Sequence, residues 1–148
     1  MNNAVAADIT IQASIQTVWE VITKPEHIAK WFADTAAFEP QAGSAGALSW
    51  EGLGEAPIEV VTVDQPHAFA FTWVAPDEET AGTDDKTLIT FSLAEVADGT
   101  QVRVVESGFN GLSLSDADKI TLSGKHASGW PHFLGKLRDY AEGSAAKA

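Results

Sequence analysis

The stretch SIQTVWEVITKPEHIAKWF, residues 14–32, decides the architecture of this chain. Its apolar side chains Ile15, Val18, Trp19 and Ile22, followed by Ile28, Trp31 and Phe32, recur at steps of three and four, so each half offers one apolar stripe at helical period. Ser14 stands where an N-cap acceptor is needed, and Pro25 opens the second segment at a position where a missing N–H costs nothing. The stretch predicts two short helices hinged at Pro25, and their stripes need a sheet to cover.

Strand-like sequence lies on both sides. Ala4 to Gln12 alternates, with Val5, Ile9 and Ile11 as its apolar members, and leads directly into the first helix. Downstream, Gly43 to Gly46 reads as a turn, while Ala47 to Glu51 and Ile58 to Val63 form a hairpin around Gly52–Gly54 that Asp64-Gln65-Pro66 ends. Phe69, Phe71 and Trp73 alternate with Ala70, Thr72 and Val74, which puts three aromatic rings on one face of a strand and predicts that face to be buried. The segment PDEETAGTDDK, residues 76–86, is acidic and aperiodic and reads as a mobile surface loop. Leu88 to Glu95 and Thr100 to Phe109 then flank Asp98-Gly99, a pair suited to a tight hairpin.

A long helix follows. Ser115 with Asp118 resembles a capping box at its start, and Trp130, Phe133, Leu134, Leu137 and Ala141 share one face, continued upstream through Ile120, Ser123, His126 and Ala127. Pro131 predicts a kink, or a fresh helix start near Gly129, because an interior proline removes a helical hydrogen bond. The helix is expected to end before Gly143, leaving 143–148 as a frayed tail.

Composition narrows the function classes. One domain spanning 1–148 is the expectation for this length and for a chain that is 45% hydrophobic. A formal charge of −12 repels phosphate backbones and anionic lipid heads, so neither nucleic acid nor a membrane is an expected partner. The absence of cysteine excludes disulfides, thiol catalysis and thiolate metal sites. The first residues lack the basic and apolar regions of a signal peptide, and no run approaches the roughly 20 apolar residues of a membrane span, which places the chain in the cytoplasm.

In order along the chain, VWEVITKPEHIAKWF at 18–32, FAFTW at 69–73, SGF at 107–109 and HASGWPHFLGKLRDYAE at 126–142 resemble the signature segments of the START-related superfamily. Within it they are most similar to bacterial domains related to the activator of the heat-shock-90 chaperone ATPase. The resemblance implies an α+β helix-grip fold, in which a curved antiparallel sheet of about six strands wraps a long C-terminal helix. It departs from relatives at Gln41-Ala42-Gly43-Ser44, where an Arg-Pro-Gly-Gly turn is common. Members of the superfamily include lipid carriers, hormone receptors, polyketide cyclases and chaperone regulators, and relatives of this kind are often dimers, so fold alone does not settle function.

A sheet bent around a helix leaves a hollow, and Trp50, Phe69, Phe71, Trp73, Phe91, Val104, Trp130 and Phe133 are its candidate wall, although burial alone also accounts for such residues. Trp31 and Trp50 would also suit a rim or a dimer contact. Alternation from Val102 and Val104 makes Glu106 the next inward residue, and His126 on the inner helical stripe is the nearest partner for that carboxylate. His27, His67 and His132 lack the carboxylate spacing of a metal site, no cofactor motif or catalytic triad is present, and no cofactor is expected. The expected function is binding of one hydrophobic, aromatic or lipid-like small molecule. The alternatives are a polyketide cyclase or dehydratase using Glu106 and His126 as acid and base, and a module that docks on a chaperone ATPase.

Overall fold

In the computed structural model, residues 4–77, 80 and 85–147 are described, by backbone alone from 144 onward. Strand β1 (Val5–Ile11) leads into helices α1 (Ile15–Thr23) and α2 (Pro25–Trp31), then come β2 (Thr35–Ala37), β3 (Ala45–Trp50), β4 (Gly54–Asp64), β5 (Ala68–Trp73), β6 (Thr87–Val96), β7 (Gly99–Ser107), a 3-10 turn at Phe109–Gly111 and helix α3 (Asp116–Lys147). All pairings are antiparallel, in the order β1-β7-β6-β5-β4-β3-β2. This is the helix-grip arrangement, with seven strands where about six were expected. The extra one is β2, whose three residues are too few to show alternation.

Local chemistry explains the boundaries. Ser14 Oγ accepts from the Thr17 N–H at 3.2 Å, Pro25 sits in the first turn of α2, and Ser115 Oγ accepts from the Asp118 N–H at 3.1 Å. At the β6–β7 hairpin Gly99 has φ +145°, and a Cβ there would lie 2.1 Å from the Ile11 carbonyl oxygen, so only glycine lets β1 approach. Pro76, Asp77, Thr80, Asp85 and Lys86 are the described residues of the 76–86 connection, whose residues 78–79 and 81–84, and with them the mobile-loop expectation, lie outside the described residues. Thr80 is buried, its hydroxyl donating to the Ala75 carbonyl at 2.5 Å, and an Asp85 oxygen accepts from the Ser113 N–H at 3.0 Å.

One core joins the layers. Val18, Trp19, Ile22 and Trp31 from the short helices meet Phe69, Ile89, Phe91, Val102 and Val104 from the sheet and Leu122, Trp130, Leu134 and Leu137 from α3. Trp31, for which a rim or dimer contact was the alternative to its place on the helix stripe, is 2% exposed and donates its indole N–H to the Val21 carbonyl.

Three expectations about α3 are corrected. The helix runs unbroken from Asp116 through Pro131 to Lys147, with neither a new start at Gly129 nor an end before Gly143. Pro131 is tolerated because it and Ala127, whose carbonyl loses its helical donor, both face solvent, while Trp130 and Leu134 anchor the inner side. The upstream stripe runs through Leu122 and His126; Ile120 and Ala127 are exposed, because counting back in threes rotates about 60° away from the true face at each step.

Candidate functional site

Glu106 lies near the end of β7 opposite Ile89 of β6, and Thr87 stands two residues before Ile89, directly opposite Trp73 of β5. This register gathers Trp73, Thr87 and Glu106 on the inner face, where α3 brings His126 and Trp130. The Glu106 side chain has no exposure, and its carboxylate accepts four hydrogen bonds: from Trp130 Nε1 (3.0 Å) and His126 Nδ1 (2.7 Å) on Oε1, and from Thr87 Oγ1 (2.6 Å) and Trp73 Nε1 (3.1 Å) on Oε2. No buried side-chain polar atom among the described residues lacks a partner.

His126 continues the chain outward. Its other ring nitrogen, Nε2, meets Asp77 Oδ2 at 2.8 Å, so an acceptor faces each nitrogen and both carry protons. Burial, the strongest single influence, opposes that charge. Hydrogen bonds to Asp77 and Glu106 and the negative charge of both outweigh it, and the imidazole is raised to about 9. The ring also lies 5.8 Å from Trp73 and, edge to face, 5.8 Å from Phe109.

Outside this network a pocket of about 200 Å³ opens between the ends of β3 and β5, the last turn of α2 and the middle of α3. Its wall consists of Phe32, Trp50, Leu53, Trp73, Pro76, Asp77, Lys125, His126, Gly129, Trp130 and Phe133. Phe32 is the hub of that wall, stacked on Trp130 at 5.4 Å, tilted against Trp73 at 5.7 Å, and edge to face with Phe133 at 4.9 Å and Trp50 at 5.3 Å. Trp50 is fixed by donating its indole N–H to the Phe32 carbonyl at 2.7 Å. An engineered cavity of about 150 Å³ suffices for benzene, so there is room for one or two fused rings. A second cleft of similar size, near Trp19, Thr23 and Gln65, has as its charged members Glu20 and Lys24, which engage each other in solvent at 3.4 Å.

Of the expected wall, Trp50, Trp73, His126, Trp130 and Phe133 meet at the pocket, and Glu106 lies behind it. Phe69, Phe71, Phe91 and Val104 do not reach it. They are packed in the core because α2 fills the inner end of the hollow, where Trp31 meets Phe91 edge to face and only about 10 Å³ remains beside Phe71. By helical period Phe32 belongs to the α2 stripe, and only the tertiary fold makes it wall as well. Thr87 was legible in principle as the cross-strand partner of Trp73, whereas Asp77 sits in a segment without periodicity and carried no signal. A carboxylate with no exposure cannot touch a guest, so Glu106 acts on the pocket through the side chains it holds.

No helix of the described residues is long and apolar enough to cross a membrane. No curated protein matches this chain. Among solved structures, protein MLL2253 from Mesorhizobium loti is 25% identical, with a TM-score of 0.78 over 93% of this chain and 95% of that one. DynU16, a protein of the dynemicin biosynthetic locus, is 21% identical with a TM-score of 0.78; 98% of this chain aligns, spanning 49% of DynU16. Aha1 from Colwellia psychrerythraea, solved in solution as a dimer, is 22% identical with a TM-score of 0.72 over 94% and 96%. The family described as activator of Hsp90 ATPase homolog 1-like protein matches residues 12–142, and the chain belongs to that family.

Proposed function

We propose that this protein binds a small aromatic molecule in the pocket between the bent sheet and α3. The observation that carries this reading is an opening of about 200 Å³ whose wall is built from Phe32, Trp50, Trp73, Trp130 and Phe133. Rings that converge on an opening of this size present flat apolar faces and edges, which suit a flat apolar guest. The place of DynU16 in the dynemicin biosynthetic locus supports a role with small molecules. The family description names an ATPase activator, but that role for this chain rests on family membership alone, whereas the pocket belongs to these residues.

Catalysis by Glu106 and His126 as general base and acid receives less support. Glu106 is enclosed, and both nitrogens of His126 are held by carboxylates, so neither is placed to take a proton from a guest. The dimer reported for the Colwellia relative supports the same assembly here, and native mass spectrometry reads subunit count and any retained guest together.

The test is a thermal-shift and tryptophan-emission titration with 2-naphthol and 2-methoxynaphthalene. Binding is expected to raise the melting temperature and to perturb emission, since Trp50, Trp73 and Trp130 all border the guest. If neither probe changes either signal at its solubility limit, the reading fails.

A further inference from the structure

The pocket wall carries several hydrogen-bond donors, and those of its tryptophans and of His126 are already engaged away from the guest. Trp50 donates to the Phe32 carbonyl, Trp73 to Thr87 and Glu106, and Trp130 to Glu106. An indole has one donor and no acceptor, so these rings offer a guest faces and edges alone. His126 directs one nitrogen at Glu106 and the other at Asp77. Lys125 reaches the rim as an exposed side chain with an interaction of its own. The wall acceptor that retains hydrogen-bonding capacity is Asp77: its Oδ2 accepts from His126, and among the described residues no side-chain hydrogen bond reaches Oδ1. The Asp77 side chain is 20% exposed, and the chain Glu106–His126–Asp77 fixes its position from the buried side.

Building on the small-molecule reading above, we propose that the pocket selects aromatic guests bearing a hydrogen-bond donor, a phenolic hydroxyl or aromatic amine, over guests of the same shape that only accept, and that Asp77 is the specificity-determining residue. A ketone or ether oxygen entering the pocket finds no donor on the tryptophans or on His126 and meets the Asp77 carboxylate, which repels it. A hydroxyl at the same place donates to Asp77 and recovers the hydrogen bond it gave up in water.

The experiment compares 2-naphthol, 2-methoxynaphthalene and 2-naphthoate on the full chain at pH 7, by titration of tryptophan emission. In the wild type, 2-naphthol is expected to bind about tenfold more tightly than its methyl ether, the difference made by one hydrogen bond to a charged, partly solvated acceptor. In Asp77→Ala the ratio is expected to fall to about one or below, because the donor preference is lost and the freed His126 Nε2–H can now donate to the ether oxygen; the melting temperature reports whether the variant is folded. Equal binding of naphthol and ether by the wild type overturns the inference while leaving the pocket's function standing. A preference that survives in Asp77→Ala also overturns it, and 2-naphthoate binding above 2-naphthol would overturn it by transferring selectivity to Lys125. Failure of every probe removes this inference together with the function it rests on.

Discussion

Glu106 shows what one side chain does to three others. Its two oxygens hold the indoles of Trp73 and Trp130 and the imidazole of His126, each a part of the pocket wall. Glu106→Gln keeps the shape but replaces an acceptor oxygen with an NH2 that faces donors, so it should destabilise the fold by about 3 kcal/mol in denaturant titrations. The indole N–H resonances of Trp73 and Trp130 should also move; unchanged resonances would mean that the carboxylate does not hold the rings. His126 gives the pH dependence. Its value is raised from 6.5 to about 9, so its contribution is complete below pH 6.5 and is lost as pH rises through 9. Wild-type stability should fall across that window by up to about 3 kcal/mol, and His126→Gln should flatten the slope. A flat wild-type profile would contradict the doubly hydrogen-bonded cation.

At the scale of elements, two positions expose the balance between backbone and packing. Gly99→Ala combines a left-handed φ with a Cβ driven against the Ile11 carbonyl oxygen, and should lower stability by about 2 kcal/mol or more. Pro131→Ala should act in the opposite direction. It restores a donor to the Ala127 carbonyl on the exposed side of α3, and a gain of about 1–3 kcal/mol is expected in the same titration. Loss of stability would show that the proline shapes the helix instead of being tolerated by it. These elements also show what is readable without coordinates. The helix pair, the aromatic strand and the β6–β7 hairpin follow from period and capping, which are local properties. Strand β2 and the continuity of α3 depend on partners distant in sequence: β2 exists by pairing with β3, and α3 survives Pro131 because its neighbours are anchored in the core.

For the whole molecule, the decisive fact is where α2 ends. Trp31 fills the inner end of the hollow and Phe32 borders the outer part that stays open toward α3, and no local pattern could divide the aromatic residues between core and wall. Glu106 and His126 could be paired in advance because alternation and helical period are regular; Asp77 could not. The division limits guest size. Molecules of one or two fused rings should raise the melting temperature, and four-ring hydrocarbons should not, until Phe133→Ala enlarges the opening. Strong binding of the larger guests by the wild type would show that the rings part more readily than their packing implies.

The engagement of the three indole protons of the pocket wall, those of Trp50, Trp73 and Trp130, with the protein itself also determines how liquid behaves in the opening. Water there meets ring surface with little to hold it, so displacing it should release heat instead of drawing on disorder. Calorimetry of a flat guest should therefore show an enthalpy-driven association with a negative heat-capacity change.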